Sequence, residues 1–139
     1  MFGGDTRYQG TEVSFHALSE HTIDGQQFDL EMQIMHTPAE ATSGVKAATV
    51  SILFSKKDET AEKHKDITNA IDNFFGSLNW AETSLNPKVD SVPLGDLMRL
   101  LNTGDRWAYL GSSTMPPCTP GVYWNVLKTV YPIKKATYD

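Results

Sequence analysis

The run Phe28–Met35 alternates strictly, with Phe28, Leu30, Met32 and Ile34 falling on one face of an extended chain. Successive side chains of a strand point to opposite faces, so such a run must lay its apolar side on a core. An earlier run, Val13–Ala17, alternates in the same way. Between them lies Thr22-Ile23-Asp24-Gly25, and an Asp-Gly pair is the chemistry of a tight reversal because both residues tolerate positive φ. The two runs are therefore expected to be antiparallel neighbours, and the chain is committed to a sheet.

The rest of the chain supports that sheet. Thr49–Phe54 is rich in β-branched and aromatic residues and reads as a third strand. Thr60–Leu78 changes period: Ile67, Ala70, Ile71, Phe74 and Phe75 recur at helical spacing among charged residues, with Gly76 placed to end the helix. Leu94–Leu101 reads as a short helix, and Arg106–Leu110 and Val122–Leu127 as two further strands. Between those strands, the loop Gly111–Gly121 carries Pro116, Pro117 and Pro120 and is expected to stay out of the ladder. The expected architecture is a β-rich α+β fold, a mainly antiparallel sheet with one amphipathic surface helix. At 139 residues the chain is expected to form a single domain, 1–139.

Charge and cysteine content exclude several classes of function. Twelve basic residues stand against 17 acidic ones, a formal net charge of −5 that repels phosphate backbones. Lys56, Lys57, Lys63 and Lys65 form no basic stripe, because Asp58, Glu59, Glu62 and Asp66 balance them. Nucleic acid is not an expected partner. No apolar run approaches the roughly 20 residues of a membrane helix, and Met1–Arg7 does not have the pattern of a secretory signal. The single cysteine, Cys118, rules out an internal disulfide and is expected to be a half-buried free thiol.

Two motifs carry a family resemblance. Phe15-His16-Ala17-Leu18-Ser19-Glu20-His21-Thr22-Ile23-Asp24-Gly25, followed by Phe28 to His36, resembles the central segment of α-class carbonic anhydrases. Tyr109-Leu110-Gly111-Ser112-Ser113-Thr114-Met115-Pro116-Pro117-Cys118, closing with Gly121-Val122-Tyr123-Trp124, resembles a second segment of that family in the correct order. The resemblance runs over nearly the whole chain and implies the twisted, mainly antiparallel sheet of that family. It also implies a domain incomplete at both ends, since the family's N-terminal portion and last C-terminal strands have no counterpart here.

In that family zinc is held by two histidines two apart on one strand and a third on its antiparallel neighbour. Three imidazoles leave a fourth tetrahedral position for water. Carried onto this chain, the ligand positions are Ser14, His16 and Gln33, so one imidazole remains of three. A serine hydroxyl is a poor neutral ligand for zinc, and a glutamine offers only an amide oxygen. His36 lies three places from Gln33 and faces the other side of the strand. His21 matches a structural histidine in a network with Glu31, and both histidines are expected to be structural.

Other positions match the family. Glu20 and Thr114 match the pair that orients the zinc-bound hydroxide, and Glu31 matches the carboxylate that steadies the third ligand, here expected beside the Gln33 amide. Val122 and Trp124 match residues lining the apolar carbon dioxide pocket, which Met115 is expected to narrow.

Three readings follow. The first is an acatalytic domain with no metal or other cofactor, serving as a structural or protein-binding subunit of an assembly. Its partner is expected to be protein, because a sheet shorn of flanking segments presents edges that invite association. The second is a zinc-dependent carbonic anhydrase with a rebuilt metal site. The third is a small enzyme using Cys118 with a histidine, which is the weakest because no base lies near Cys118 in sequence.

Overall fold

The computed structural model describes residues 7–40, 45–56, 65–78 and 93–134. Its elements are β1 (Tyr8–His16), β2 (Thr22–Ile23), β3 (Gln26–Gln27), β4 (Leu30–Pro38), β5 (Ala47–Ser55), α1 (Lys65–Gly76), α2 (Leu94–Leu100), β6 (Arg106–Ser112), β7 (Pro120–Leu127) and β8 (Tyr131–Pro132). The described residues fall into two compact units: those within Met1–Phe54 and Gly104–Val130, and those within Ser55–Thr103 and Tyr131–Asp139.

The first unit is built on a sheet with strand order β1-β4-β5-β7-β6. β1 pairs antiparallel with β4 as the alternation required, and Ser14 sits opposite Gln33 and His16 opposite Glu31. Asp24 and Gly25 both take positive φ, 51° and 77°, and turn β2 back onto β3 with Ile23 opposite Gln26. β4 starts at Leu30, two residues later than the alternation suggested. Phe28 is held outside the strand by Ser19, whose Oγ accepts the Phe28 N–H at 2.9 Å and whose N–H donates to the Phe28 carbonyl at 3.0 Å.

The expected one-sided burial of this strand also needs correction. Leu30, Met32 and Ile34 are buried, but so are Glu31 and Gln33 on the opposite face. β5 is buried from Ala47 to Phe54, the near-continuous apolar run of a strand covered on both faces.

The sheet is mainly antiparallel but contains one parallel step, β5 against β7, with Ala47 opposite Val122 and Thr49 opposite Trp124. A parallel pair needs a long crossover, and the chain between β5 and β7 passes through both helices and β6. β6 and β7 then pair antiparallel. Their ladder reaches further into the proline-bearing loop than expected: Gly111 pairs with Val122 and Ser112 with Pro120. Proline is compatible with the first residue of a strand, where no ladder N–H is demanded of it.

In the second unit, α1 buries Thr68, Ile71, Phe74 and Phe75 along one side, as its spacing predicts. The expected helical residues Thr60–His64 lie outside the described residues. Gly76 is the last helical residue, and Ser77 closes the end: its N–H donates to the Asn73 carbonyl at 3.1 Å and its Oγ to the Phe74 carbonyl at 2.6 Å. The short helix α2 buries Leu97. The Tyr131 hydroxyl accepts the Asn102 N–H at 2.7 Å, and Lys134 pairs with Asp72. Among the described residues no helix is long and apolar enough to cross a membrane.

Candidate functional site

Residues directly opposite in a ladder project to the same face. The β1–β4–β5 register therefore puts Ser14, Gln33 and Ser51 in one row and His16 beside Glu31, all on one side of the sheet. Trp124 and Val122 of β7 share this side through Thr49 and Ala47, and Tyr109 of β6 joins it opposite Trp124.

The segment after β1 brings in Glu20. Ser19 is almost fully buried and anchors that segment, its Oγ donating to the His21 carbonyl at 2.7 Å while its own carbonyl accepts from Gln27 Nε2 at 2.7 Å. Glu20 then presents one oxygen to three groups. Gln33 Nε2 donates to Oε1 at 2.9 Å, Thr114 Oγ1 donates to it at 3.0 Å, and His16 Nε2 lies 3.2 Å away.

The neighbouring carboxylate, Glu31, is wholly buried and fully paired. Its Oε1 lies 2.5 Å from His21 Nδ1 and accepts the Ser51 hydroxyl. Its Oε2 accepts the backbone N–H groups of Glu20 at 2.7 Å and His21 at 3.1 Å. Burial alone would raise its pKa, but the hydrogen bonds from His21 and Ser51 outweigh it and hold the carboxyl at about 2. Glu31 is thus held as an anion in the sheet.

His21 extends the chain of contacts outward. Its Nε2 stands 2.6 Å from the Tyr109 hydroxyl, and its ring packs edge-on against Trp124 at 5.0 Å. Tyr109 stacks on Trp124, whose Nε1–H donates to the Ser112 carbonyl at 3.0 Å. Burial, then the negative charges of Glu31 and Glu20, push the Tyr109 pKa up, so the phenol stays protonated.

Several expectations change here. The Gln33 amide does not accompany Glu31; it reaches across to Glu20, and both Glu31 oxygens are taken by other donors. Val122 and Trp124 are buried and cluster with Ala47 and the partly buried Met35. Met115 stands 68% exposed. Cys118 is exposed, not half-buried, because it sits in a tight turn where its N–H donates to the Met115 carbonyl. His36 lies in β4 opposite Gly10 and Ala48, on the face away from Gln33 as expected. Ser51 and Tyr109 were given no role from sequence. A hydroxyl at the centre of an apolar strand is the available signal for Ser51, since such a group requires a partner.

Of the three positions matched to the family's zinc ligands, Ser14 and Gln33 carry a hydroxyl and an amide, and both the Gln33 amide and the His16 ring are turned to Glu20. Among the described residues no three His, Cys, Asp or Glu side chains are grouped to hold a metal ion.

The buried Glu31–His21 pair beside the Glu20–Thr114 pair agrees with the carbonic anhydrase resemblance of the two motifs. The eukaryotic-type carbonic anhydrase family model matches residues 2–139, and the chain belongs to that family. Relatives include dioscorin DB3L of Dioscorea polystachya, 30% identical over 130 residues, which are 92% of this chain and 43% of that protein. Another is alpha carbonic anhydrase 6 of Arabidopsis thaliana, 34% identical over 126 residues, 90% of this chain and 42% of the relative. Among solved structures, an α-carbonic anhydrase from Thermovibrio ammonificans in complex with sulfanilamide superposes with a TM-score of 0.72 at 22% identity, over 96% of this chain and 53% of that one. Dioscorin complexed with ascorbate gives 0.61 at 30% identity, over 95% and 50%. The chain therefore spans about half the length of the relatives it matches.

Proposed function

We propose that this is a catalytically inactive carbonic anhydrase-like domain that serves as a structural or protein-binding subunit of a larger assembly. The observation that carries the reading is the Glu20 cluster, where the side chains at two ligand positions, His16 and Gln33, are turned to a carboxylate instead of toward a shared open point. A protein partner is supported by β6, at one end of the strand order among the described residues. It exposes Trp107 (43%), Tyr109 (43%) and Leu110 (65%), large apolar groups of the kind that protein contacts bury.

The test is elemental analysis of the purified protein together with a carbon dioxide hydration assay with and without added zinc. Less than stoichiometric zinc and no zinc-dependent rate are expected. About one tightly held zinc per chain, with hydration abolished by a chelator and by Thr114→Ala, would establish the alternative of a working carbonic anhydrase with a rebuilt site.

A further inference from the structure

We propose that the former ligand positions now form a metal-free clasp, in which Gln33 is a positioning residue that fixes Glu20 and, through it, the 113–119 loop. A bound ion can tie several strands together at one point. Here the Glu20 Oε1 atom does so, gathering His16 from β1, Gln33 from β4 and Thr114 from the loop between β6 and β7. Glu20 itself is fixed at the backbone by its N–H donating to Glu31 Oε2 at 2.7 Å. The clasp therefore sits on a fixed backbone, and it reaches the loop through Thr114.

Gln33 suits the role by its chemistry. Its amide nitrogen is an obligatory donor at any pH, and the residue is only 6% exposed, so its end of the bond to Glu20 is withdrawn from water. The loop needs such a tie. Thr114 to Cys118 are exposed, and the loop's internal bonds are short-range: Ser113 N–H to the Thr119 carbonyl and Cys118 N–H to the Met115 carbonyl, both 2.9 Å. Thr114 Oγ1 reaches out of the loop to a residue 94 positions away in sequence. Glu20 is thereby assigned work that needs no metal. The inference rests on the metal-free reading only in that a bound zinc would compete for His16.

The experiment is amide hydrogen exchange, residue by residue, on the whole chain without added metal. In Gln33→Leu, the Ser113 and Cys118 amides should exchange about tenfold faster, the effect of losing one hydrogen bond to a charged group. The Ile52 amide, in the middle of β5, should keep its rate. Thr114→Val, which cuts only the loop side and leaves the buried residues in place, should give the same acceleration. Combining the two substitutions should add nothing further if both act through Glu20. Wild-type rates at Ser113 and Cys118 in both single variants would overturn the clasp, and so would equal acceleration at Ile52. Zinc analysis of the same samples separates this outcome from failure of the inactive reading.

Discussion

The Glu31 carboxylate lies 2.5 Å from His21 Nδ1 inside the sheet, with no exposed surface of its own and a second hydrogen bond from Ser51. A charge in that position is tolerable only while its partners remain. The pair therefore acts as a constraint on folding wherever the chain is assembled.

Acid stability should report that pair. The Glu31 carboxyl is lowered from 4.5 to about 2 in the folded chain, so folding favours its ionised form. Its contribution is fully present above about pH 4.5, and falls away as pH drops from there toward 2. A shift of this size corresponds to roughly 3 kcal/mol. Ser51→Ala removes one donor, should cost about 1–3 kcal/mol at neutral pH, and should move the acid transition to higher pH. Denaturant melts followed between pH 2 and 7 would measure both; an acid limb unchanged by Ser51→Ala would contradict the assignment.

Restoring the imidazoles should restore the metal before the reaction. In Ser14→His with Gln33→His, three histidines would again occupy facing positions of β1 and β4, since Ser14 and Gln33 are directly opposite. Glu20 and Thr114 remain paired beside them. Zinc binding by isothermal titration is the expected gain, absent in the unmodified chain, with little or no carbon dioxide hydration accompanying it. A double variant that still fails to bind zinc would show that the backbone around β1 no longer matches a ligand geometry.

Gly111 should resist any side chain. A Cβ there would lie 2.9 Å from Tyr109 Cε2 and 3.1 Å from Trp124 Cδ1. Trp124 is buried and tied to the Ser112 carbonyl, and the Tyr109 hydroxyl is held by His21, so relieving the clash requires one of these contacts to give. Gly111→Ala should destabilise by about 1–3 kcal/mol, the usual cost of overpacking. It should also perturb Tyr109, visible as a change in near-ultraviolet circular dichroism. An unchanged spectrum and melting temperature would show that the ring stack yields more freely than its contacts imply.

Local pattern determined much of this protein. The alternation of Val13–Ala17 and Phe28–Met35 and the Asp24-Gly25 reversal specified the β1–β4 pairing, and the spacing of Ile71, Phe74 and Phe75 specified the buried side of α1. Strand parity put Ser14 with His16 and Glu31 with Gln33, because side-chain direction along a strand depends only on position, and the family resemblance placed the two pairs side by side. The tertiary structure alone decided who bonds to whom on that face. Glu31 took His21 and Ser51, which left the Gln33 amide to Glu20, and Thr114 arrived from across the sheet. It alone also decided that β5 meets β7 in parallel and that β4 is buried on both sides. Parity fixes a direction, but a hydrogen-bond partner is chosen by distances between segments far apart in the chain. Those distances exist only once the sheet has closed around its buried charge.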